Sequence, residues 1–178
     1  MGTTRSAKAL AVMFAGTLLA VASPAIAHAG QPNSEPRSTL VGTSRLQNLK
    51  SGKYLQATSS ANGARITQQP FNDNFLQDWQ IFTFDGYYTF ENFEADGKNL
   101  GIDGASTSSG AAAIIANGSS DLNQDWTVDR THYSGDYFAL KNRKSGLCLG
   151  ISGASTATGA AAVQFPCDGS ANQGWTWP

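Results

Sequence analysis

As a string of apolar and polar positions, the chain divides into two unlike parts. Residues 9–22 carry no charge and hold Leu10, Val12, Phe14, Leu18 and Leu19 among small residues. Beyond residue 42 the apolar runs are short. Tyr54-Leu55-Gln56-Ala57 and Ala162-Val163-Gln164-Phe165 are typical, and clusters of Gly, Ser, Asn and Asp separate such segments. Apolar or alternating runs of this length between turn formers are the pattern of short strands. No window after the first part holds a 3.6-residue period over the length of a helix, which predicts an all-β domain.

The short runs recur. Leu46-Gln47-Asn48, Phe90-Glu91-Asn92 and Leu140-Lys141-Asn142 each open a segment. A glycine follows in each, at Gly52, Gly97 and Gly146, with a leucine three residues later at Leu55, Leu100 and Leu149. A second glycine, Gly63, Gly110 or Gly159, lies 16 residues before a tryptophan in every copy. Each copy closes on Gln-x-Trp: Gln77-Asp78-Trp79, Gln124-Asp125-Trp126 and Gln173-Gly174-Trp175, with the tryptophans 47 and 49 residues apart. One such repeat cannot bury its apolar face alone, so the three must share a core and a pseudo-threefold axis. The matched tryptophans and leucines are its expected layers. Closing the strands into a barrel would also remove exposed sheet edges.

Composition and charge narrow the setting. Arg5 and Lys8, the apolar run and the small residues around Ala25-Ile26-Ala27 have the order of a secretory signal peptide, expected over 1–27. Residues 28–42, rich in Gly, Pro, Ser and Asn, are expected to form a flexible leader. The remaining 43–178 has the length of one domain, with repeats at about 43–86, 87–136 and 137–178. Loss of Arg5 and Lys8 with no acid takes the net charge from −1 to −3, which argues against nucleic acid or an anionic membrane as partner. In an exported chain, Cys148 and Cys167 read as one disulfide rather than a metal site. Two buried free thiols are the alternative.

Leu-x-Asn, Ser-Gly-x-Cys-Leu, a Gly-Ala turn, Gln-Phe-x-Cys and Asn-Gln-x-Trp together resemble ricin B-type lectins and family 13 carbohydrate-binding modules. The third copy carries them most fully, as Ser145-Gly146-Leu147-Cys148-Leu149, Gln164-Phe165-Pro166-Cys167 and Asn172-Gln173-Gly174-Trp175. The resemblance extends over the whole chain after the leader. It implies a β-trefoil of twelve short strands and up to three shallow sugar sites. Each site would combine an acid after the Cys-Leu step, an aromatic before the second Cys, and the Asn-Gln of the closing motif. A pyranose packs its C–H face on a ring and pairs its hydroxyls with carboxylate and amide. Repeated weak sites would add avidity.

The three copies keep this set unevenly. The third has Phe165, Asn172 and Gln173 but Gly150 where the acid belongs. The second has Asn123 and Gln124, with Gly101 and Ala116 for acid and aromatic. Asp103 is its nearest acid, although Ile102-Asp103-Gly104 also reads as a turn. The first has Gln56, Gln69 and Leu76 at the acid, aromatic and Asn positions, so no sugar site is expected there. Its Tyr54 and Phe71 stand where the cysteines would be, consistent with apolar packing in place of a disulfide.

No Gly-x-Ser-x-Gly elbow, zinc-ligand pair or phosphate-binding glycine loop is found, and His28 and His132 are the two histidines, so neither enzyme activity, a cofactor nor a metal is expected. The expected protein is a secreted, extracellular monomer that binds polysaccharide or glycoprotein glycans. Its competitors are a trefoil that binds proteins, such as a protease inhibitor, and a degenerate trefoil without sugar binding.

Overall fold

The computed structural model describes residues 38–178; the signal peptide expected over 1–27 and residues 28–37 of the expected leader lie outside the described residues. Thirteen strands follow one another: β1 (Thr39–Ser44), β2 (Gln47–Asn48), β3 (Tyr54–Ala57), β4 (Ile66–Gln69), β5 (Trp79–Phe84), β6 (Tyr87–Asn92), β7 (Lys98–Ile102), β8 (Ala113–Asn117), β9 (Trp126–Asp129), β10 (Ala139–Asn142), β11 (Cys148–Ile151), β12 (Ala162–Phe165) and β13 (Trp175–Thr176). The number exceeds twelve because the first strand breaks at Arg45-Leu46 into β1 and β2. That break lets β1 pair with β5 while β2 pairs with β13.

Thr39–Gly42, which the sequence reading assigns to the leader 28–42, belong to β1. Thr39, Leu40 and Gly42 lie opposite Thr83, Phe82 and Ile81 of β5. The segment is too short and too rich in turn formers to announce itself, and a distant partner strand supplies its ladder.

The pairings close a ring. From β1 it runs through β5, β6, β9 and β10, and then Phe138 bridges Trp175 of β13, which returns to β2. The hairpins β3–β4, β7–β8 and β11–β12 meet one another through the bridges Arg65–Ile114, Thr67–Ala161 and Ala112–Val163. This ring of six strands with three hairpins around one pseudo-threefold axis is a β-trefoil, built without an α-helix among the described residues.

The repeat residues occupy the core in threes. Trp79, Trp126 and Trp175 are fully buried, as are Leu55, Leu100 and Leu149, and Leu46, Phe90 and Leu140. Each indole N–H donates to the carbonyl of its own repeat's leucine: Trp79 to Leu55 at 3.2 Å, Trp126 to Leu100 at 3.0 Å and Trp175 to Leu149 at 3.0 Å. A buried Trp needs such an acceptor, and the repeat spacing provides it.

The asparagines of Leu-x-Asn lock neighbouring repeats. Asn48 Nδ2 donates to the carbonyl of Asn172 at 3.0 Å, Asn92 Nδ2 to that of Leu76 at 3.0 Å and Asn142 Nδ2 to that of Asn123 at 2.8 Å. Each bond crosses from one repeat to the turn that closes the repeat before it, so the cycle is complete only with three copies.

Candidate functional site

Each repeat reaches its closing tryptophan through one 3-10 turn: Phe75–Gln77, Leu122–Gln124 and Ala171–Gln173. In the second and third repeats a further 3-10 turn, Asp103–Ala105 or Ser152–Ala154, follows the strand β7 or β11. The first repeat is two residues shorter at this point. Between the two turns an open cleft forms in both longer repeats. That of the third repeat, about 520 Å³, is lined by Gly153, Ala154, Phe165, Asp168, Ser170, Asn172 and Gln173 among others. That of the second, about 430 Å³, is lined by the matched Gly104, Ala105, Ala116, Ser119, Asp121, Asn123 and Gln124 among others. Ala105 and Ala154 hold φ of +50° and +48° at the rims, a left-handed conformation unfavourable to a residue with a Cβ, at the same place in both clefts.

Three of the sequence-predicted residues, Phe165, Asn172 and Gln173, therefore meet in one cleft, and Asn123 and Gln124 meet in the other. Phe165 ends β12 half-buried, with its strand neighbours Val163 and Gln164 buried. Asp103 stays apart. It lies outside the second cleft's wall, exposed, with its carboxylate 3.1 Å from Arg65 of the first repeat. The reading of Ile102-Asp103-Gly104 as a turn describes its place.

The closing amides are first of all scaffold. Gln173 Nε2 donates to the Pro166 carbonyl at 2.9 Å, and its Oε1 accepts from the Asp168 N–H at 3.2 Å. Asn172 Nδ2 donates to the Ile151 carbonyl at 3.4 Å, and Asn172 Oδ1 accepts from the Ser170 hydroxyl at 2.7 Å. Each amide keeps one N–H and one lone pair for a further partner. In the second repeat Gln124 Nε2 donates to the Asn117 carbonyl at 2.9 Å, while Gln124 Oε1 accepts from both Asn99 at 3.0 Å and Ser119 at 3.2 Å. Asn123 donates to the Ile102 carbonyl at 3.1 Å, but its buried Oδ1 has no partner. The difference is local: Ser170, which donates to Asn172 Oδ1 in the third repeat, is replaced by Asp121, which makes no such bond to Asn123.

The glycines in the acid position have a structural cause. A Cβ on Gly150 would lie 3.0 Å from Gln173 Cγ and 3.3 Å from Asn172 Nδ2; on Gly101 it would lie 3.0 Å from Gln124 Cγ and 3.2 Å from Asn123 Nδ2. The closing amides pack directly on these glycines, and they would have to give by a few tenths of an ångström to admit a side chain there.

A carboxylate nevertheless reaches the third cleft from a residue that sequence reasoning missed. Asp168 follows Cys167, lines the cleft and stands exposed at its edge. Contact with Ser170, whose backbone N–H donates to the carboxylate at 2.9 Å, holds its carboxyl below the usual carboxylate range, so it is ionised at neutral pH. The disulfide Cys148–Cys167 ties the preceding residue to β11. At the matched positions the first repeat pairs Tyr54 with Phe71, ring centroids 5.8 Å apart and edge to face. Gln56 Oε1 of that repeat accepts from both Asn72 and Gln77 at 3.0 Å, so its polar groups satisfy one another.

Two further residues at one repeat position, Gln68 and the Gln164 of Gln-Phe-x-Cys, have a role that the sequence reading does not assign. Buried Gln68 donates to the carbonyls of Ser155 and Ala157, and buried Gln164 to those of Ser106 and Ser108. Each pins the loop beyond the positive-φ alanine of a neighbouring repeat. A polar residue recurring inside a strand is the signal that could have found them. Among the described residues no group of three or more His, Cys, Asp or Glu is arranged to hold a metal ion.

Known proteins show the same architecture. Among solved structures, the designed three-fold symmetric protein ThreeFoil is 33% identical, with a TM-score of 0.71 over 76% of this chain and 96% of its own. An exo-β-1,3-galactanase from Clostridium thermocellum is 27% identical, with a TM-score of 0.71 over 78% of this chain and 31% of its own. The hemolytic lectin CEL-III is 26% identical, with a TM-score of 0.66 over 78% of this chain and 30% of its own. No curated protein matches the chain. The family model of the ricin-type β-trefoil lectin domain-like proteins matches residues 35–116 and 122–177, and with its threefold core and paired clefts the chain belongs to that family.

Proposed function

We propose that this protein is a secreted, non-catalytic carbohydrate-binding protein that recognises polysaccharide or glycoprotein glycans chiefly through its third repeat. The observation that carries the reading is the third cleft, where the Phe165 ring, the Asp168 carboxylate and the Asn172 and Gln173 amides line one open space. A pyranose would lay its C–H face on Phe165 and donate hydroxyl protons to Asp168. Family membership and the likeness to a hemolytic lectin support the class of ligand. The arrangement of Arg5, Lys8 and the apolar run 9–22 supports export. The second cleft would contribute less, because Ala116 offers no ring, and its carboxylate, Asp121, stands where the third cleft has Ser170 and not at the place of Asp168.

The test is a glycan array that includes β-1,3-galactan, chosen because a galactanase is among the similar structures. The protein should bind a defined set of glycans, and Phe165→Ala should lower that binding about tenfold or more while unfolding as cooperatively as wild type. Equal binding by the variant would remove the third repeat from the account. No binding of wild type to any arrayed glycan would remove carbohydrate recognition itself.

A further inference from the structure

The three repeats differ most in the connection before the last one. β5 and β6 are joined by the two-residue turn Asp85-Gly86, whereas a longer loop, 130–138, joins β9 to β10. Asp129 anchors the loop by accepting from the Thr131 backbone N–H at 2.8 Å and from the Thr131 hydroxyl. The loop then folds onto the closing turn of the third repeat, where the Tyr133 hydroxyl donates to the Ser170 carbonyl at 3.0 Å. Gly174 makes this possible. A Cβ there would lie 2.8 Å from Tyr133 Cε1 and 2.9 Å from Leu49 Cδ2. The matched residues Asp78 and Asp125 instead pair with Arg45 and Arg143. The departure from Gln-Asp-Trp to Gln-Gly-Trp is thus the counterpart of the inserted loop.

Between loop and turn lies a cleft of about 460 Å³, whose lining includes Leu49, His132, Tyr133, Tyr137, Gly169 and Ala171. The third-repeat cleft shares its wall. Along the segment 168–172, Asp168, Ser170 and Asn172 face the Phe165 side, and Gly169 and Ala171 face the tyrosine side. Both spaces fall within the roughly 300–1,000 Å³ usual for ligand sites. Aromatic faces beside hydroxyl and imidazole groups are the chemistry that receives a sugar ring.

We propose that the cleft beside Tyr133 and Tyr137 is an accessory saccharide subsite, continuous with the Phe165 cleft across the wall 168–172, so that the protein grips a stretch of glycan chain. The proposal rests on the carbohydrate reading above. Tyr133 is the positioning residue that holds the loop to the wall, and Tyr137 and His132 contact the additional sugar.

The experiment is an array of gluco-, galacto-, manno- and N-acetylglucosamine oligosaccharides from monosaccharide to hexasaccharide, probed with wild type, Tyr137→Ala, His132→Ala and Phe165→Ala, each checked by thermal unfolding. Wild type should bind the longer members of one series about tenfold more tightly than its monosaccharide, and Tyr137→Ala or His132→Ala should erase most of that gain. Binding without length dependence, or a gain that survives both variants, overturns the accessory subsite and leaves the third-repeat reading standing. Binding lost in Tyr137→Ala but kept in Phe165→Ala also overturns the extension, because the tyrosine cleft would then act alone. No binding to any series overturns both readings together.

Discussion

The second and third clefts are one backbone arrangement with different walls. Both lie between a positive-φ alanine and a closing Asn-Gln, and both pack that Asn-Gln on a glycine, Gly101 or Gly150. Phe165, Asp168 and a disulfide distinguish the third, where the second has Ala116, Ser119 and the unlinked Asn99 and Gly118. The frame belongs to the threefold core, and the chemistry belongs to a few side chains hung on it. A trefoil can therefore keep its symmetry while the walls of its clefts diverge in chemistry.

The common frame can be broken at its anchors. Trp126→Ala and Trp175→Ala should each cost about 3–5 kcal/mol of stability in urea unfolding, because each empties the same core layer and strands a leucine carbonyl. A large gap between the two would mean that the clefts are not held alike. Next in size is the disulfide, present in only one of the two walls. The double variant Cys148→Ala with Cys167→Ala should lose about 3 kcal/mol in the chain-entropy account of a loop closed by cysteines 19 positions apart.

What the chain discloses to a reader follows the same division. The spacing of Gln-x-Trp is legible because each Trp must reach its leucine carbonyl, a constraint that forces the same interval three times. The aromatic pair Tyr54–Phe71 is legible by alignment with the cysteines. Gly101 and Gly150 were legible only as missing acids. Their real constraint is a close approach of Gln124 and Gln173, residues more than 20 positions away. Asp168 was invisible as the cleft's carboxylate because it comes from the turn after Cys167 and not from the strand where an acid was sought. No pattern in the sequence marks the loop 130–138, and its relation to Gly174 exists only in three dimensions.

Two smaller effects sharpen the contrast between the walls. Asp168→Asn should weaken glycan binding about fivefold, by replacing a charged acceptor with a neutral one. Because the folded value of Asp168 is depressed, its ionised form and any stability linked to it persist as pH falls through the ordinary carboxylate range. Wild-type binding should thus hold from neutral pH through the ordinary carboxylate range and decline only below it, and the Asn variant should lack that decline. In the second cleft, Asp121→Ser should stabilise the protein by about 1 kcal/mol in the same urea measurement, by giving the buried Asn123 Oδ1 the donor that Ser170 gives Asn172.

The most direct measurement of the central claim is an amide NMR titration of the protein with the strongest glycan found on the array. The largest shifts should fall at Gly153, Ala154, Phe165, Asp168 and Asn172, with smaller ones at the matched Gly104, Ala105, Ala116, Ser119 and Asn123. Shifts centred on the second cleft, or on the exposed Phe75–Phe93 pair, would contradict it.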